Sequence, residues 1–164
     1  MGADTIRRMT ERGKASAGAE VAISADADDV YHLITDLPTL ASLAAENEAA
    51  QWRTGDKATP GAVFKGTNRN GRYRWTTTCT VTEAEPGRAF AFDVRYMAIP
   101  IAHWRYDIAP DGDGCRVTEQ TWDRRPGWFS KTAWIGTGVR DRETANAEHI
   151  RLTLQRLKAK AETG

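Results

Sequence analysis

The chain has 164 residues, 40% of them hydrophobic and 27% charged, with a formal net charge of +1. That is the length of one domain able to bury a substantial core, and the balanced charge offers no concentrated basic footprint for nucleic acid. No apolar run approaches the roughly 20 residues that a membrane span needs, which excludes an integral membrane protein built of helices.

Residues 1–18 carry Arg7, Arg8, Arg12 and Lys14 with no apolar stretch behind them, so the segment is not a secretory signal. It reads as a flexible polar arm, with a single domain following over residues 19–161. Ala19–Ser24 alternates Ala19, Val21 and Ile23 inward as a first strand. Ser24 or Asp26 then caps a helix with Asp28 and Asp29 in its first turn and Val30, Leu33, Ile34 and Leu37 at helical spacing. Pro38 ends it, a short helix follows over Thr39–Ala45, and Ala49–Thr54 is a strand with Trp52 inward.

The next strand runs over Ala62–Arg69 and meets Asn70-Gly71, which predicts a type I′ hairpin turn. Arg74–Glu83 and Arg88–Tyr96 form the centre of the sheet. In them Trp75, Thr77, Cys79 and Val81, then Phe90, Phe92, Val94 and Tyr96, occupy one face by the two-residue period. That face mixes large rings with small polar groups, a composition suited to lining a space. Ile99-Pro100 breaks the sheet; Ala102, Trp104, Tyr106 and Ile108 then alternate inward, leaving His103, Arg105 and Asp107 outside. After a Gly/Asp turn, Cys115, Val117, Glu119 and Thr121 face in. Residues 124–138 have no sustained pattern yet hold Trp128, Phe129 and Trp134, and from about Arg140 to Ala161 a long amphipathic helix places Ala147, Ile150, Leu154, Leu157 and Ala161 on one face.

One strand, two short helices, about six antiparallel strands in a meander and one long helix make an α+β chain. A sheet with one apolar face must be covered, and only the last helix is long enough. The expected architecture is a helix grip: a curved antiparallel sheet of about seven strands wrapped around the C-terminal helix. The segments VAISADADDVYHLITD (21–36), PGAVF (60–64), WTTTCTVTEAEPGRAFAFDV (75–94) and WRYDIAPDGDGCRVTEQT (104–121) resemble the START/Bet v 1-like (SRPBCC) superfamily in its bacterial polyketide cyclase/dehydrase branch. The resemblance covers residues 19–160. It implies the same helix grip and a small apolar ligand, such as a lipid or polyketide, but it brings no shared catalytic motif, and fold alone does not settle function.

The residues assigned to a ligand cavity are Phe64, Trp75, Thr77, Cys79, Phe92, Val94, Trp104, Tyr106, Glu119 and Thr121 from the strands, with Asn146, His149 and Ile150 from the last helix. Aromatic walls with a few polar groups suit small-molecule binding. Glu119 is a carboxyl group on an apolar face, where desolvation raises its pKa. Either it orients a ligand or acts with Tyr106 in acid–base chemistry, or it is a structural pair or a position turned to water. Trp128, Phe129 and Trp134 form a flap over the cavity mouth, a partner contact or a loop packed on the sheet.

His32, His103 and His149 are scattered without metal-ligand spacing, and in the Asp111–Gly114 turn Trp122 stands where a calcium loop needs its glutamate, so neither metal nor other cofactor is expected. Cys79 and Cys115 lack metal spacing and are too few for a disulfide scaffold, which favours reduced thiols and a cytoplasmic protein. A threonine- and arginine-rich outer face favours a monomer or weak homodimer. Three functions remain open: binding for carriage, sensing or sequestration; a cyclase, aromatase or dehydratase; and a regulatory interaction module.

Overall fold

The computed structural model describes residues 13–164. The sequence-based arm therefore lies outside the described residues as far as residue 12. Seven strands form one antiparallel sheet in the order β1-β7-β6-β5-β4-β3-β2: β1 (Ala17–Ile23), β2 (Asn47–Thr54), β3 (Val63–Asn70), β4 (Tyr73–Glu85), β5 (Ala89–Tyr96), β6 (Ile99–Asp111) and β7 (Gly114–Asp123). β2 to β7 are a meander. β1 pairs with β7 at the far edge, so α1 (Ala27–Thr35) and α2 (Leu37–Leu43) carry the chain across the sheet. Two single-turn helices, α3 (Gly127–Ser130) and α4 (Trp134–Thr137), lead into the 22-residue α5 (Arg142–Thr163). The curved sheet wraps this helix, as the alternation of β4 to β7 and the length of the last apolar stripe imply.

Local chemistry sets the details. Asp26 caps α1 through the Asp28 amide, and Asp141 caps α5 through the Thr144 amide. Ile150, Leu154 and Leu157 of α5 are buried with Val30 and Ile34 of α1 and with Leu37 and Leu40 of α2. α5 lies against β1 and touches β7 more lightly. It stands off from the middle of the sheet, and a cavity opens there.

Several local readings need correction. β1 begins at Ala17, because Gly18 and Ala19 pair with Gln120 and Glu119. The second helix starts at Leu37; Asp36 ends α1 and caps α2, and Pro38 sits in the first turn of α2, where its missing N–H costs nothing. The β3–β4 turn is Gly71-Arg72, since Asn70 is still a strand residue opposite Tyr73 and only Gly71 has positive φ (58°). Its side chain has other work: Asn70 Nδ2 donates to the Thr137 carbonyl at 2.8 Å. Ile99 and Pro100 lie inside β6, accommodated by a register shift opposite Val94 and Arg95, and the turn falls at Met97-Ala98 instead.

The outer face is less open than the alternation implies. His103 is on that face but only 7% exposed, its Nδ1 2.7 Å from Asp93 Oδ1 and its ring 5.5 Å from Trp122. Arg105 is buried as well, donating to Glu83 and, at 2.8–2.9 Å, to Asp107.

Candidate functional site

Between α5 and the concave face lies a cavity of about 450 Å³, within the range of small-molecule sites. Its back wall is the aromatic row of the sheet. Phe64 meets Phe92 edge-on at 5.2 Å between centroids, and Trp52 extends the row behind Phe64 at 5.6 Å. The small side chains Gly66, Thr77, Cys79 and Ala102 on the same surface leave the space that larger residues would fill. Asn68 Nδ2 donates to Thr77 Oγ1 at 3.1 Å, which ties two polar wall groups together. Burial pushes the Cys79 thiol up to about 12, so it is a small apolar wall residue and no nucleophile.

At the inner end Tyr106 Oη donates to Glu119 Oε1 at 2.8 Å. Glu119 is 3% exposed, and its second oxygen, Oε2, has no hydrogen-bond partner among the described residues. Burial pushes its pKa up to about 8, although the hydrogen bond from Tyr106 pulls the other way. Tyr106 is in turn pushed well above its ordinary value by burial and by the carboxylate beside it. At neutral pH Glu119 is therefore mostly a neutral acid. Its Oε1 accepts from tyrosine, and its Oε2 can donate to an oxygen of a bound molecule.

The mouth is built differently. Arg142, at the start of α5, donates to both oxygens of Glu46 at 2.8 and 3.0 Å, and its guanidinium lies 5.9 Å from the centre of the Trp75 ring. His149 Nδ1 is 4.0 Å from Glu46 Oε1. Across the opening Arg125 pairs with Asp123 at 2.7 Å. Burial pushes Asp123 up, but the hydrogen bonds and charge of Arg125 and the charge of Arg142 outweigh it and hold the carboxyl below its ordinary value. Phe129 leans over the Tyr96 ring at 6.2 Å, and both line the cavity.

Of the residues assigned from sequence, Phe64, Trp75, Thr77, Cys79, Phe92, Val94, Trp104, Tyr106, Glu119, Asn146, His149 and Ile150 all line this cavity. Thr121 does not: it is fully buried in the sheet, where its hydroxyl donates to the His103 carbonyl. In the loop, Phe129 alone of the three aromatic residues faces the cavity; Trp128 is 65% exposed, and Trp134 turns out beneath Arg140. Among the lining residues missed are Asn68 and Tyr96, whose strand parity pointed inward, and the Glu46–Arg142 pair. Nothing local in the sequence links two residues 96 positions apart.

A curved sheet closed by one long helix over an apolar cavity defines a helix-grip protein of the Bet v 1-like (SRPBCC) type. The family model described as "Polyketide cyclase / dehydrase and lipid transport" matches residues 14–162, and the chain belongs to that family. Among solved structures, the polyketide-cyclase-like protein Cgl2372 of Corynebacterium glutamicum is similar at 24% identity and a TM-score of 0.62, over 92% of this chain and 94% of that one. The di-domain ARO/CYC protein StfQ of the steffimycin biosynthetic pathway aligns at 14% identity and a TM-score of 0.69, over 98% of this chain and 56% of its own. Ara h 8.0201 aligns at 9% identity and a TM-score of 0.65, over 90% and 97% of the two chains. At these identities the likeness is one of fold. No curated protein matches the chain at a significant level.

Proposed function

We propose that the protein binds a small apolar or amphipathic molecule of lipid, polyketide or isoprenoid type, for carriage, sensing or sequestration in the cytoplasm. The observation that carries this reading is the cavity of about 450 Å³ with aromatic walls and one buried carboxyl oxygen left without a partner among the described residues. The apolar wall supplies affinity through burial, and Glu119 with Tyr106 supplies orientation by holding a carbonyl or hydroxyl of the ligand at the inner end. Native mass spectrometry of the purified protein should show a retained small molecule, and the neutral probe N-phenylnaphthylamine should brighten on entering the cavity. Absence of both a retained molecule and probe uptake would be incompatible with this function.

A second reading, catalysis, is favoured by the raised pKa of Glu119 alone. A protonated carboxyl could give its proton to a carbonyl oxygen as the enol form of a second ketone in the same substrate forms a carbon–carbon bond at that carbonyl, and the resulting carboxylate takes back the proton that the enol oxygen releases. Such a step is aldol-type cyclisation, the kind of chemistry that the name of StfQ implies for that protein. With a poly-β-ketone substrate, Glu119→Gln should abolish turnover and leave binding within a few-fold. Equal loss of both would make Glu119 a binding or structural group only.

A further inference from the structure

The large apolar side chains exposed among the described residues are Met97, Trp128, Trp134 and Ile135. Their positions are not scattered. Each is the chain neighbour of a residue that lines the cavity: Tyr96, Phe129, Ala133 and Gly136 respectively. In the single turns α3 and α4, consecutive residues point in different directions, so one side chain faces the cavity while the next faces solvent. The result is an apolar rim around the mouth. Exposed apolar side chains grouped in this way mark a contact surface.

Within the loop that carries Trp128, Trp134 and Ile135, the charge has one sign, while Glu46 and Asp123 at the mouth are paired with Arg142 and Arg125. Residues 124–140 contain Arg124, Arg125, Lys131 and Arg140 and no acidic residue. Arg125 is engaged by Asp123, but Arg124, Lys131 and Arg140 are exposed. The Arg140 guanidinium stacks at 4.3 Å on the Trp134 ring. Arg72, also exposed, stands in the β3–β4 turn, which the Asn70–Thr137 hydrogen bond ties to α4. Tryptophan and isoleucine at the tip with arginine and lysine around them match an anionic lipid surface: rings and methyl groups enter the headgroup–acyl boundary while cations meet the phosphates.

We infer that the cavity mouth docks on anionic membrane surfaces through Trp128, Trp134, Ile135 and Met97, with Arg124, Lys131, Arg140 and Arg72 facing the headgroups. Docking in that orientation turns the cavity opening toward the bilayer, so an apolar ligand passes between membrane and cavity without crossing water. The contact is peripheral: no helix among the described residues is long and apolar enough to span a bilayer.

The test uses the full chain in co-sedimentation with phosphatidylcholine vesicles carrying about one-quarter phosphatidylglycerol and with vesicles of phosphatidylcholine alone. Binding should be confined largely to the anionic vesicles and should weaken as salt shortens the screening length from about 10 Å at 0.1 M to about 3 Å at 1 M. Trp128→Ala with Ile135→Ala should weaken it about tenfold or more. Both residues are exposed and neither lines the cavity, so N-phenylnaphthylamine uptake should be unchanged. No binding to the anionic vesicles, or binding undiminished by the double substitution, overturns the inference. Self-association that Trp128→Ala abolishes, in the absence of vesicle binding, assigns the rim to a second copy and overturns it too. Probe uptake is read separately, so failure of the cavity reading and failure of membrane docking are distinguishable.

Discussion

On β6, Arg105 and Tyr106 point to opposite faces of the sheet, and each reaches a carboxylate. On the convex side Arg105 donates to both Glu83 and Asp107, a closed set of charge-assisted hydrogen bonds. Burial alone would make its charge costly, yet the two carboxylates keep it fully protonated. On the concave side Tyr106 meets one oxygen of Glu119, and the other has no partner among the described residues. A buried ionisable group with its partners complete is part of the scaffold. One left half-satisfied against a cavity has capacity for something else, and position on the same strand does not tell the two apart.

The largest expected effect is on the convex side. Arg105→Ala removes a buried guanidinium that pairs with the partly buried Glu83 and with Asp107, and should cost about 3 kcal/mol in urea unfolding. Uptake of N-phenylnaphthylamine should not change. A stability loss under about 1 kcal/mol would show that the outer network is decoration, and lost uptake at full stability would break the division between the faces.

Glu119→Gln comes next. Folding lifts the Glu119 pKa from 4.5 to about 8, so across that interval the native state holds a proton that the unfolded chain has released. Stability therefore falls as pH rises through this window and levels off above it. The total is on the order of a few kcal/mol. Glutamine has the same shape and no charge to desolvate, so the variant should gain stability at pH 8, match the parent near pH 4, and lose this part of the pH dependence. Thermal melts across that range check it. Parallel curves for the two proteins would show that Glu119 is not kept neutral by its site.

The two faces were not equally legible in the sequence. On the concave side, parity alone placed Trp75, Thr77, Cys79, Phe92, Tyr106 and Glu119, because side chains on a regular strand alternate without exception and β4 to β7 are long. Thr121 obeys the same parity, yet it is sealed in the sheet by its bond to the His103 carbonyl, a matter of depth that alternation does not carry. On the convex side, polar identity implied solvent for His103 and Arg105, whereas burial there depends on partners from other strands, Asp93 for the one and Glu83 for the other. The mouth was least legible. The Glu46–Arg142 pair joins distant segments, and single-turn helices such as α3 and α4 are too short for a periodic signal, so the outward turn of Trp128 had none to announce it.

The smallest effect isolates the concave pair itself. Tyr106→Phe keeps the ring on the wall and removes the one hydrogen bond that the Glu119 carboxyl receives among the described residues. The loss should be about 1 kcal/mol at neutral pH. Its sign in the titration is more telling than its size. The tyrosine hydroxyl favours the carboxylate and so lowers the Glu119 pKa; without it the pKa must rise further, and the pH window over which stability declines must extend upward. In a Glu119→Gln background no group remains to titrate there, so Tyr106→Phe should then shift nothing. If the window moves downward in the single variant, or moves at all in the double, the proton assigned to Glu119 belongs to another group.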